Sequence, residues 1–99
     1  MMSYYNLNGV KFVWDEKKAL INAKKHKVTF RQACTAFFDP FFIVVEASDN
    51  SEYRQAIIGY DDASQLLFVV HIETTADELR IISARYATKQ ERQNYEQSN

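Results

Sequence analysis

Cysteine, proline and glycine are nearly missing from this 99-residue chain, which holds one, one and two of them. A lone thiol, Cys34, can form neither an internal disulfide nor a cysteine metal cluster. So little proline and glycine excludes long disordered linkers. Charge of a single sign is lacking as well: twelve Lys and Arg stand against thirteen Asp and Glu, a net charge of −1. Domains that coat nucleic acid are usually strongly basic, so any hold on phosphates has to come from a local patch. No apolar run approaches the roughly 18 residues of a membrane helix. Met1-Met2-Ser3-Tyr4-Tyr5 shows no basic region leading into an apolar stretch, so no secretory signal is legible. A reducing, cytoplasmic setting is the expectation.

What is present is aromatic: seven Phe, six Tyr and one Trp, within 46% apolar residues. That suffices for one thin core, and residues 1–99 are expected to form a single domain. Residues 10–14 read as a first strand. Asp15 is an N-cap with Glu16 in the first turn. It opens a helix to about residue 26, whose last turn, Lys24-Lys25-His26-Lys27, is basic. Thr29-Phe30-Arg31-Gln32 is a capping box for a second helix. Phe30, Ala33, Cys34, Phe37 and Phe38 repeat there at helical spacing, and Asp39-Pro40 ends it. Strands follow at about 41–47, 52–60, 65–73 and 78–86. The breaks between them are Ser48-Asp49-Asn50-Ser51, Asp61-Asp62-Ala63-Ser64 and Thr74-Thr75-Ala76-Asp77. Such short links make antiparallel neighbours. Thr88-Lys89-Gln90-Glu91 caps a last helix carrying Tyr95. The expected fold is α+β: an antiparallel sheet of four to five strands with two N-terminal helices and a C-terminal helix.

If each four-residue break is a closed hairpin loop, Tyr60 faces Gln65 and Glu73 faces Glu78. Arg54 then lies opposite His71, and His71 opposite Arg80, in one row on one face. Directly opposed Cβ atoms are about 4.5–5.5 Å apart, and a one-residue slip breaks the row. Two guanidiniums beside an imidazole suit RNA cleavage. The 2′-hydroxyl attacks phosphorus, charge builds on the phosphoryl oxygens, and arginine supplies fixed donors for it. Histidine moves the proton, its neutral form favoured by the nearby arginines, and no metal is needed. On this register Arg85 falls on the opposite face and Tyr86 on the face of Arg80.

Plainer readings stand beside these. Strand arginines are often solvated or paired, here with Glu73 or Glu46, and a lone sheet histidine is more often structural. Lys24, Lys25, His26 and Lys27 are candidates for RNA phosphates, yet a basic helix end is also ordinary capping. Asp61-Asp62 reads as a turn former rather than a magnesium site. His26 and His71 lack zinc-ligand spacing. Cys34 reads as core, and Ser83 has no nucleophile elbow around it.

Phe12-Val13-Trp14-Asp15-Glu16-Lys17-Lys18, then Asn22, Lys25-His26 and Val28-Thr29-Phe30-Arg31-Gln32-Ala33, resemble the opening of BrnT toxins. Arg54 with Ile58-Gly59 is similar to their middle. Arg80-Ile81-Ile82-Ser83-Ala84-Arg85, Ala87-Thr88, Glu91-Arg92 and Tyr95 are similar to their end. The resemblance implies a toxin of a type II toxin–antitoxin pair, with a RelE-like fold, that inhibits translation by cutting RNA. It also implies a BrnA-type antitoxin carrying a ribbon-helix-helix, with DNA bound only through that complex. No cofactor is implied. Carried onto this chain, the matching polar positions are Lys25, His26, Arg54, Arg80, Arg85 and Tyr86; His71 rests on the register alone. The family commonly has Gly after Lys-His, a left-handed helix cap, and Lys27 stands there instead, strained if φ is positive. A metal-independent ribonuclease toxin is the expectation. Its alternative is a catalytically weakened toxin fold that only binds an antitoxin.

Overall fold

The computed structural model describes residues 1–48 and 53–99. The expected break at 48–51 and strand start at 52 therefore fall, Ser48 apart, outside the described residues. Side-chain caps start the three helices where the sequence predicts them. Asp15 accepts from the Lys17 N–H to open α1 (Glu16–His26), and Thr29 from the Gln32 N–H to open α2 (Phe30–Thr35). Thr88 and Glu91 make a reciprocal capping box at α3 (Lys89–Gln97). A 3₁₀ turn (Ala36–Phe38) follows α2, and Asp39, extended before Pro40, ends it.

The expectation of four to five antiparallel strands is corrected to a six-stranded mixed sheet. Its strands are β1 (Met2–Leu7), β2 (Val10–Asp15), β3 (Ile43–Glu46), β4 (Gln55–Tyr60), β5 (Leu66–Glu73) and β6 (Leu79–Tyr86), in the order β1-β2-β6-β5-β4-β3. The additional strand, β1, pairs with β2 from Met2↔Asp15 to Leu7↔Val10. Asn8 (φ 50°) and Gly9 (φ 82°) form the two-residue turn, both left-handed as a type I′ hairpin requires. The parallel contact is β2 with β6, through Phe12↔Leu79 and Val13↔Arg80. It joins the two ends of the chain by a crossover that contains α1, α2 and three strands.

Helices α1 and α2 cover one face of the sheet, burying Phe12, Trp14, Val28, Phe30, Ile57, Leu67, Val69 and Ile81. Cys34 is fully buried among them, and burial pushes its thiol pKa up to about 12, so it is an inert core residue. His71 is also in this layer, 4% exposed, with the Phe37 ring edge-on at 4.9 Å. A Cβ on Gly59 would sit 2.9 Å from the Ala36 carbonyl, so glycine is what lets the 3₁₀ turn press on β4. Helix α3 packs on the other face through Tyr95, against Ile58 and Leu66. Asp39 ties it down, accepting from the Tyr95 hydroxyl, the Tyr60 N–H and the Phe41 N–H. Although burial opposes its charge, these donors hold the Asp39 carboxyl below its ordinary range.

Strand β6 changes neighbour along its length. Beyond Arg80 its outer edge is met by α1 instead of β2. The buried side chain of Asn22 serves that edge. Its Nδ2 donates to the Ala84 carbonyl (2.8 Å) and to the Val28 carbonyl (3.0 Å), and its Oδ1 accepts from the Ala84 N–H (3.1 Å). Ala84 thus receives from one carboxamide the two bonds that a strand would give it.

Asn22→Ala leaves these buried groups unpaired and is expected to cost about 3 kcal/mol. The thermal midpoint should then fall by roughly 10–20 °C. Lys27 caps α1 at φ 61°, its N–H on the Ala23 carbonyl. Lys27→Gly relieves the left-handed strain and should add about 0.5–1 kcal/mol in denaturant titration. Burial lowers the His71 pKa, against the Val69 carbonyl and Glu73, which favour the charged ring. The unfolded chain therefore binds the proton more readily. Stability is expected to fall as pH drops below about 6.5, and His71→Phe should flatten that part of the pH profile.

Candidate functional site

Strand alternation separates two faces of the sheet. Ile57, Leu67, Val69 and Ile81 face α1 and α2. Their neighbours Ala56, Val70, Ile72 and Arg80 face the other way. Ile72 pairs with Arg80, Arg80 with Val13, and Val13 with Tyr4. Gln55 pairs with His71, so Arg54, one residue earlier, continues beside Ile72. Arg54 and Arg80 therefore lie on one side of the sheet, with Ile72 rather than His71 between them. The Arg54 backbone is held against the end of β3, its carbonyl accepting from the Ala47 N–H.

The row drawn through His71 is corrected by one residue at each hairpin. Asp61 and Gln65 close the first loop, with Ser64 left-handed at φ 60°. Thr74 and Glu78 close the second, with Asp77 at φ 62°. Each loop is three residues, a turn plus one left-handed residue, instead of four. The slip sends His71 to the helix-covered face, opposite Gln55 and Ile81. Asp61 shapes the first loop: Oδ1 accepts from the Ala63 and Gln65 N–H groups and Oδ2 from Gln32 Nε2.

A second correction concerns Arg85 and Tyr86. His71 pairs with Ile81 but Val70 with Ser83, so β6 bulges by one residue at Ile82. The bulge reverses the alternation. Arg85 pairs with Phe68 and joins the face of Arg80, while Tyr86 pairs with Leu67 and leaves it. Arg85 is nevertheless engaged. Its guanidinium lies 4.2 Å from the Phe68 ring centroid and forks onto both oxygens of Glu91 at 2.8 and 2.9 Å. Burial opposes the Glu91 charge, yet the Arg85 fork and the Thr88 N–H keep its pKa below the ordinary value. Arg85 is a clamp for the start of α3.

The basic end of α1 reaches the same region from the side. Lys18, Ile21, Asn22, Lys25 and His26 line a shallow groove of about 220 Å³ with Ile82 and Ser83 of β6. Asn22, Lys25 and His26 share one helix face at i, i+3 and i+4, so the Asn22 anchor also sets the height of the two cations along β6. Ser83, paired with Val70, opens the groove onto the face of Arg80. Lys24 is exposed outside the groove lining, and Lys27 Nζ turns back to the Lys24 carbonyl at 3.1 Å. Lys18 and Ser83 were not picked out as binding residues from sequence; only the bulge and the Asn22 anchor bring them together. Among the described residues no three His, Cys, Asp or Glu side chains cluster as a metal site.

No curated protein matches the chain. The family model described as the ribonuclease toxin BrnT of type II toxin–antitoxin systems matches residues 14–91. The match runs from the end of β2 into the first turn of α3 and so takes in the groove, both hairpins and the Arg85–Glu91 clamp. Over that length the chain belongs to the BrnT family, the ribonuclease toxins of type II toxin–antitoxin systems, a class partnered by a protein antitoxin.

Proposed function

We propose that this chain is an endoribonuclease that cuts RNA without a metal ion, on the sheet face bearing Arg54 and Arg80 and in the groove beside it. Cutting inhibits translation in the cytoplasm until a BrnA-type antitoxin covers the site. The observation that carries this reading is the meeting of Lys25 and His26 with Ser83, where the groove opens onto the Arg80 face.

The chemistry follows from the groups available. The 2′-hydroxyl oxygen attacks the neighbouring phosphorus and loses its proton as the new P–O bond forms. The P–O5′ bond breaks, the 5′-oxygen takes a proton, and a 2′,3′-cyclic phosphate remains. Negative charge peaks on the phosphoryl oxygens, where Arg80, with Arg54 alongside, supplies permanently charged donors. His26 is the imidazole on the groove: it takes the 2′-hydroxyl proton, and the imidazolium so formed gives that proton to the departing 5′-oxygen. Lys18 and Lys25 hold the flanking phosphates, Lys24 extends the basic end, and Lys27 contributes charge while capping α1. The groove's ionisable groups are Lys18, Lys25 and His26, which include no carboxylate to ligate a divalent cation. His71 sits under Phe37 on the other side and has no part in the step.

Arg80→Ala is expected to lower kcat about 100-fold or more and to relieve growth arrest on expression without antitoxin. His26→Ala should lose at least as much, whereas His71→Phe keeps cutting. Cleavage of single-stranded RNA by the purified chain should persist in EDTA. Cutting that chelation abolishes, or a folded chain that binds antitoxin and never cuts, overturns the reading.

A further inference from the structure

Strand β1 and most of β2 lie outside the matched residues 14–91, yet they extend the same sheet face. We infer that Tyr4 is a stacking platform for a nucleobase of the RNA strand whose phosphate is held at Arg80, an inference that rests on the RNA-cutting reading. Tyr4 pairs with Val13 and Val13 with Arg80, so the three share one row. Neighbouring strands are about 4.8 Å apart, which sets Tyr4 and Arg80 roughly 10 Å apart at Cα. Side chains rising from one face at that separation span a phosphate and a nearby base of one strand.

The hairpin holds Tyr4 firmly without covering it. Tyr5, its neighbour on the opposite face, packs on Trp14 with ring centroids 6.1 Å apart and lies under the Arg31 guanidinium at 4.7 Å. Tyr4 itself is 61% exposed. The Lys11 ammonium is 5.5 Å from its ring centroid and pairs with Glu78 at 3.1 Å, removing a carboxylate charge that would repel a phosphate. Tyr86, the other strand tyrosine exposed to a comparable degree at 42%, belongs to the opposite face. An exposed, anchored ring in one row with a cation, here Arg80, is an arrangement by which proteins hold single strands. Every base has a π-face, so such stacking tolerates sequence.

The test is equilibrium binding of a fluorescent single-stranded oligonucleotide with 2′-O-methyl sugars, which lacks the attacking hydroxyl and is not cut. An abasic strand of the same length serves as the second probe. Tyr4→Ala and Tyr4→Leu should each weaken binding of the base-containing strand about tenfold, and Tyr4→Trp should restore it. None of the three should change affinity for the abasic strand, whereas Arg80→Ala weakens both. Thermal midpoints of the Tyr4 variants should stay within a few degrees of the parent, since Tyr4 is exposed and such substitutions barely change stability. Folded Tyr4→Leu that binds the base-containing strand normally, while Arg80→Ala does not, overturns the stacking role and leaves the RNA reading in place. A parent chain that binds neither strand overturns both.

Discussion

A single carboxamide, that of Asn22, lets a helix stand in for a strand at the edge of β6. Buried backbone N–H and C=O groups need partners, and β2 stops supplying them after Arg80. Asn22 has one acceptor and two donors, and it gives a donor and the acceptor to Ala84 and its other donor to Val28. The bond to Val28 also fixes the chain as it leaves α1 towards α2. Because α1 is rigid over these turns, one anchored residue determines where Lys18, Lys25 and His26 stand relative to Ser83. Packing, local geometry and the groove thus share one origin.

Charge on the sheet face is divided between structure and binding by the partners each cation finds. Arg85 is bound by Glu91 and lies over Phe68, so its charge is spent within the fold. Lys11 is similarly turned to Glu78. Arg80 shares this face in the row with Ile72 and Val13, without the carboxylate fork that holds Arg85. A near-zero net charge is compatible with a phosphate site under these conditions, because attraction over a few ångströms depends on which cations face outward more than on the total.

Signals confined to a few residues were legible in the sequence. The caps at Asp15, Thr29 and Thr88, the stop at Asp39-Pro40 and the left-handed strain at Lys27 all depend on neighbours within one helical turn. The Asn8-Gly9 turn behind β1 is equally local, a two-residue hairpin signal that needs no distant partner to be legible. Register was not legible. The left-handed positions Ser64 and Asp77 carry no glycine to announce them, and each shortens its loop by one residue. That displaced His71 from the arginine row while leaving Arg54 and Arg80 together. The parallel pairing of β2 with β6 joins segments that only the folded chain brings near. Fold class and family were therefore readable, whereas the membership of the site depended on two left-handed loop residues and a bulge.

The bulge at Ile82 has a wider meaning for how β6 encodes itself. The strand is written in two frames: before Ile82 odd positions face inward, and from Ala84 onward even positions do. Hydropathy read continuously across Leu79–Tyr86 averages the two frames and conceals both. Each half taken separately has clear alternation. The join gives the chain a freedom that a regular strand denies it, since two cations separated by an odd number of positions, Arg80 and Arg85, can emerge on the same side.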